Sequence, residues 1–135
     1  MNRIETTGRQ QIKNFVRESL GCTCPDNVFE DIRVADYSTQ FTSANIIYEI
    51  GGRLIVAVLV PADWRDTARR LGQLVDAGMQ YRDQQGYNRF RLVIVTSDDD
   101  ANNRLQSAFE LLVTKDEKIH LHVIRPEVLP FDVPA

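Results

Sequence analysis

The stretch Gly51-Gly52-Arg53-Leu54-Ile55-Val56-Ala57-Val58-Leu59-Val60-Pro61 decides the fold. Its two glycines accept positive φ and suit a tight two-residue hairpin turn. Leu54 to Val60 is then apolar without interruption. A strand with one wet face would alternate, so a continuous run signals burial on both faces. Pro61 cannot continue a ladder and ends the strand. A sheet covered above and below by helices is the simplest structure that buries such a strand.

On the N-terminal side of this run, Thr42–Ile50 reads as the antiparallel partner that the hairpin turn joins to it. On the C-terminal side, Asp63 and Asp66 have the form of a helix cap. Trp64, Ala68, Leu71, Leu74, Val75, Gly78 and Met79 make the buried stripe of a long helix reaching about Gln84, with Gly86 as its stop. Arg91–Thr96, built on Leu92-Val93-Ile94-Val95, is a second core strand. The polar run Ser97-Asp98-Asp99-Asp100 closes it. A helix over about Ala101–Val113 follows, with Leu105, Ala108, Phe109 and Leu112 inward. Ile119–Ile124 is the last strand, with Ile119, Leu121 and Val123 on one face and His120, His122 and Ile124 on the other.

The N-terminal third adds cover. Ile12, Phe15, Val16 and Leu20 recur at helical spacing over Arg9–Leu20. Thr7 and Gln10 have the spacing of a capping box, and Gly21 suits a left-handed stop. Pro25 fits the first position of a short helix, which puts Cys24 near its N-cap. Ile32–Tyr37 reads as a strand. Pro126, Pro130 and Pro134 mark residues 125–135 as an extended tail. The expected architecture over residues 1–135 is one α/β domain. It is a three-layer α/β/α arrangement around a small mixed sheet, ordered helix, short helix, strand, hairpin, helix, strand, helix, strand. The hairpin is antiparallel and the later strands favour parallel, right-handed crossovers. A two-layer α+β packing is the alternative.

Composition narrows the function classes. The chain has 135 residues, 43% hydrophobic and 26% charged, which is an ordinary globular balance. Its formal net charge is −3, so no general attraction to a phosphate backbone is expected. No apolar run approaches membrane-spanning length, and MNRIETTGRQ lacks the apolar core of a signal peptide. Two cysteines suit a reducing compartment better than a disulfide scaffold. A cytoplasmic protein without a membrane partner is expected.

The element order resembles the minimal core of the restriction-endonuclease-like fold: helix, three-strand meander, helix, strand. That resemblance implies an acidic residue on the second core strand and a Glu-x-Lys on the third. Asp36 and Glu49 are available carboxylates, but Arg53–Val60 holds neither Glu nor Lys. A degenerate nuclease-like protein is what the resemblance leaves. The stretch Gly21-Cys22-Thr23-Cys24-Pro25-Asp26-Asn27-Val28-Phe29 is similar to a segment of small uncharacterised prokaryotic proteins.

Four constellations carry chemistry. Cys22 and Cys24, two residues apart beside a helix start, form a candidate thiol-redox pair, because orphan N–H groups there favour a thiolate. Adding His120 and His122 gives two thiols and two imidazoles, a tetrahedral zinc set by ligand type. Asp98, Asp99 and Asp100 lie at the C-terminal end of a parallel strand, where ligands of open α/β sheets bind and where carboxylates hold hydrated magnesium. Trp64, Arg65, Tyr81, Tyr87 and Phe90 combine aromatics with an arginine-rich stretch, the composition of an interface anchor. The leading expectation is a small non-enzymatic binding or assembly module, homodimeric through those anchors. A thiol-redox or metal-binding protein using Cys22 and Cys24 is the alternative.

Overall fold

A computed structural model describes residues 2–3, 6–35 and 44–130. Asp36 and Tyr37, and the start of the strand expected over Thr42–Ile50, lie outside the described residues in whole or part. The hairpin expected at the double glycine is present. β3 (Ile46–Ile50) runs antiparallel to β4 (Leu54–Leu59), with Tyr48 opposite Val56. Gly51 and Gly52 sit at φ +60° and +66°, and the Arg53 N–H closes the turn on the Ile50 carbonyl at 3.0 Å. Ile50 faces Leu54 in the ladder, so the connection has three residues where the sequence suggested two. Gly51 has a second reason to lack a side chain: a Cβ there would fall on the Val28 carbonyl oxygen and Cγ1.

The sheet extends in sequence order from this hairpin. β1 (Asn2–Arg3) pairs with β2 (Ile32–Val34), and β2 with β3, all antiparallel. β5 (Arg89–Val95) lies parallel to β4, and β6 (Ile119–Ile124) parallel to β5. The order is therefore β1-β2-β3-β4-β5-β6, and β1 is so short that five strands carry the sheet.

All six residues of β4 are buried, as its uninterrupted apolar run requires. Alternate residues serve two different cores. Ile55, Ala57 and Leu59 join Leu71, Leu74, Tyr81, Phe90, Leu92 and Leu105. Leu54, Val56 and Val58 join Ile12, Phe15, Val16, Phe29, Tyr48 and Val93. The first core lies under α2 (Trp64–Arg69), α3 (Leu71–Gln85) and α4 (Asp99–Glu110). The second lies under α1 (Thr6–Asn14), the π-helical turn Phe15–Ser19 that continues it, and the 3-10 helix Asp26–Glu30. This is the three-layer α/β/α arrangement with a mixed sheet; the two-layer alternative fails because both sheet faces are covered.

Local differences from the sequence reading have identifiable causes. The first helix begins at Thr6, which puts Thr7 inside it and not at the cap. The long helix after Pro61 is two helices. The Arg70 N–H is shared between the Asp66 and Thr67 carbonyls at 3.2 Å each, which tightens the chain and separates α2 from α3. Asp63 does cap α2, accepting the Arg65 N–H at 3.0 Å. Gly78 lets α3 approach the sheet closely, since a Cβ there would lie 2.9 Å from the buried Phe90 ring. Helix α4 stops at Glu110, so Leu111 and Val113 lie beyond it and are exposed. Of the extended tail expected over 125–135, Pro126–Val128 forms one 3-10 turn, and residues 131–135 lie outside the described residues.

Candidate functional site

The described residues hold a cavity of about 440 Å³ between the Leu20–Pro25 loop and the N-terminal ends of β4, β5 and β6. Cys22, Cys24, Arg53, Arg89, Arg91 and His120 line it. It opens at the end of the parallel strands opposite Ser97–Asp100, the run expected from the sequence to lie at a ligand site.

Strand periodicity builds the floor. Arg89 and Arg91 are two residues apart on β5 and share the face of Val93. The parallel register sets Arg91 beside His120 and Val93 beside His122. Two arginines and two histidines thus occupy one face of neighbouring strands. The Arg91 Nη1 donates to His122 Nε2 at 2.9 Å and to the Leu20 carbonyl at 2.8 Å. The Arg89 Nη1 lies 3.3 Å from His120 Nε2. An imidazole accepting from a guanidinium must be neutral at that nitrogen. The electrostatics agree: burial, then Arg91, then His120 push His122 down to about 4. His120 is lowered as well, by burial first and then by Arg91 and Arg89.

The arginines are short of counter-charge. Among the described residues Arg53, Arg89 and Arg91 make no ion pair with a carboxylate. The Nε of Arg91 is buried and has no hydrogen-bond partner there. Burial, and then the neighbouring Arg89, lower the Arg91 pKa. The buried Arg82, 5% exposed, by contrast grips Asp116 with two bonds of 3.0 and 2.6 Å. In a protein of net charge −3, three arginines around one cavity without a carboxylate partner among the described residues are a local excess of positive charge.

The cavity roof is the cysteine loop. Gly21, at φ +71°, turns the chain out of the π-helical turn. The Cys22 N–H donates to the Val16 carbonyl at 3.1 Å, and Arg17 donates to the Cys24 carbonyl at 2.6 Å while pairing with Asp26 at 2.7 Å. Arg17 also lies over the Phe29 ring, 5.3 Å from its centre. These contacts fix the loop from behind. Cys22 and Cys24 are joined by a disulfide. Cys22 is buried and Cys24 half-buried, and the Cys24 N–H points at Cys22 Sγ from 3.4 Å. The helix-cap argument for Cys24 is corrected: Pro25 is the cap residue, and the helix that follows is a five-residue 3-10 turn.

The remaining sequence candidates are placed differently. Among the described residues no group of three or more His, Cys, Asp or Glu is arranged to hold a metal ion. Cys22 and Cys24 share the cavity with His120, but the histidine nitrogens face guanidinium groups, which repel a cation. Asp98 caps α4 by accepting the Asp100 N–H at 2.9 Å, and it also accepts the Trp64 indole N–H at 2.8 Å. The Trp64 bond first, and then the Asp100 N–H, hold its carboxyl below the usual range. Asp99 pairs with Arg125 at 2.6 Å and Asp100 is exposed, so the three carboxylates have different surroundings. Glu49 is 4% exposed and faces the α2–α4 layer. Its carboxylate accepts the Tyr81 hydroxyl at 2.5 Å and the Tyr87 hydroxyl at 3.4 Å. Ile55 stands opposite Glu49 in the ladder, where the nuclease resemblance would want catalytic partners.

Three of the five expected interface anchors are buried in the chain itself. Trp64, Tyr81 and Phe90 are 7%, 1% and 0% exposed within one chain, so they belong to its own core. Tyr87 is half-buried against Glu49, and Arg65 is exposed and lies over the Trp64 ring. Among the described residues no helix is long and apolar enough to cross a membrane.

The sequence offers Arg89 and Arg91 only as part of an arginine-rich stretch with Arg65, Arg69, Arg70 and Arg82, a possible basic patch, and does not single out Arg53. A sharper signal lies in Arg89-Phe90-Arg91, whose two charges at period two mark one face of a strand, but the strand expected from the sequence begins only at Arg91. Comparison with protein-family models, with curated proteins and with solved structures finds no match for this chain.

Proposed function

We propose that this protein is a small binding module whose cavity takes an oxyanion group, a carboxylate or a phosphate. One observation carries the reading: Arg91, half-buried beside Arg53 and Arg89, has no carboxylate partner among the described residues and an unsatisfied Nε. A desolvated guanidinium without a counter-charge costs stability, and an anion in the cavity offsets that cost. Guanidinium also matches carboxylate and phosphate with two parallel hydrogen bonds. The neutral His122 orients the Arg91 group without cancelling its charge. The Trp64, Tyr81 and Phe90 burial takes away the main support for assembly through those anchors.

Isothermal titration with inorganic phosphate and with citrate tests the reading. Binding to the wild type should weaken by about tenfold or more in an Arg53→Gln/Arg89→Gln double variant, whose exposed positions leave the core intact. Equal affinity in wild type and variant, or no heat with either anion, overturns it.

A further inference from the structure

The cavity contains a disulfide that anion binding alone does not use. We infer that the Cys22–Cys24 disulfide exchanges with small anionic thiols, whose carboxylate seats on the arginines of the same cavity. This rests on the anion-binding reading and adds a reaction and a substrate class to it.

Three observations converge. Cys22 and Cys24 line the cavity together with Arg53, Arg89 and Arg91, so a ligand held by its carboxylate lies beside the sulfurs. Cys24 is the more accessible sulfur and Cys22 is only 7% exposed, which makes Cys24 the point of attack. The Cys24 N–H directed at Cys22 Sγ, 3.4 Å away, stabilises negative charge on the sulfur that must leave. The guanidinium groups favour thiolate over thiol for both the incoming and the departing sulfur.

The reaction balances without an outside oxidant. A substrate thiolate attacks Cys24 Sγ. A bond forms between the two sulfurs, and the Cys22–Cys24 bond breaks. Its electron pair goes to Cys22 Sγ, which takes a proton from water. A second substrate thiolate then attacks the substrate sulfur of this mixed disulfide. The substrate disulfide leaves and Cys24 Sγ departs as a thiolate, protonated in turn by water. Two thiols are oxidised to one disulfide and the protein gains two electrons and two protons as its dithiol; the reverse direction oxidises the protein.

The test uses the oxidised protein and three probe thiols: mercaptoacetate (anionic), 2-mercaptoethanol (neutral) and cysteamine (cationic). Mixed disulfide is read by mass after acid quench, and rates are expressed per thiolate. Mercaptoacetate should react about tenfold faster with the wild type than with Arg53→Gln/Arg89→Gln, while cysteamine should react no faster with the wild type. Reduced Cys22→Ser, given the disulfide of mercaptoacetate, should accumulate a stable adduct on Cys24; Cys24→Ser should not form one on Cys22. Mercaptoacetate rates that ignore the arginines overturn the inference, as does failure of the two cysteines to close on mild oxidation. If phosphate and citrate still bind in an arginine-dependent way while exchange is insensitive to thiol charge, the exchange inference falls and the binding reading stands. If anion binding is absent too, both fall.

Discussion

Replacing His122 by Gln should remove a defined part of the protein's sensitivity to acid. In the folded chain the imidazole is half-buried, accepts from Arg91 at 2.9 Å and has His120 two residues away on the same face. Burial first, then Arg91 and His120, lower its pKa from 6.5 to about 4. Between those values the unfolded chain binds a proton that the folded chain refuses. The associated stability is fully present above the unfolded value and is lost as pH falls through the window toward the folded value. Each unit of difference is worth about 1.4 kcal/mol, so about 2 kcal/mol of stability should disappear between pH 7 and pH 5 through this one group. Urea unfolding at both pH values, with wild type and His122→Gln compared, measures it. The wild-type midpoint should fall more steeply with acid than the variant's, and the two pH dependences should differ by about 2 kcal/mol. Parallel pH dependences would refute the reasoning, because they would mean His122 titrates alike in the folded and unfolded states.

Tyr81→Phe removes the 2.5 Å hydrogen bond to Glu49 and leaves a carboxylate that is 4% exposed with only the longer Tyr87 contact. A loss of about 2 to 3 kcal/mol in urea unfolding is expected, and an unchanged midpoint would show that Glu49 finds another partner. Gly51→Ala forces an alanine to φ +60° and drives its Cβ into the Val28 backbone. The left-handed conformation costs about 1 to 2 kcal/mol and overpacking about 1 to 3 more, so thermal unfolding should shift down strongly, whereas Gly52→Ala, which meets nothing within 4 Å, should lose only the conformational part.

The sequence by itself determined the layers. A run such as Leu54–Leu59 can be buried only if both sheet faces are covered, and the amphipathic stripes at Ile12–Leu20 and Leu71–Met79 supply the covers. The periodicity of β6 also put His120 and His122 on one face correctly, because side-chain direction along a strand is a local property. The site was not legible in the same way. Its chemistry depends on β5 and β6 lying in parallel register, which brings Arg91 beside His120 from 29 positions away, and on a loop from the opposite layer closing over them. Whether Trp64, Tyr81 and Phe90 face a partner or their own core is likewise a question of packing that composition leaves open. Local pattern dictates which side of an element is dry. Only the assembled fold decides which charges end up together without a counter-ion.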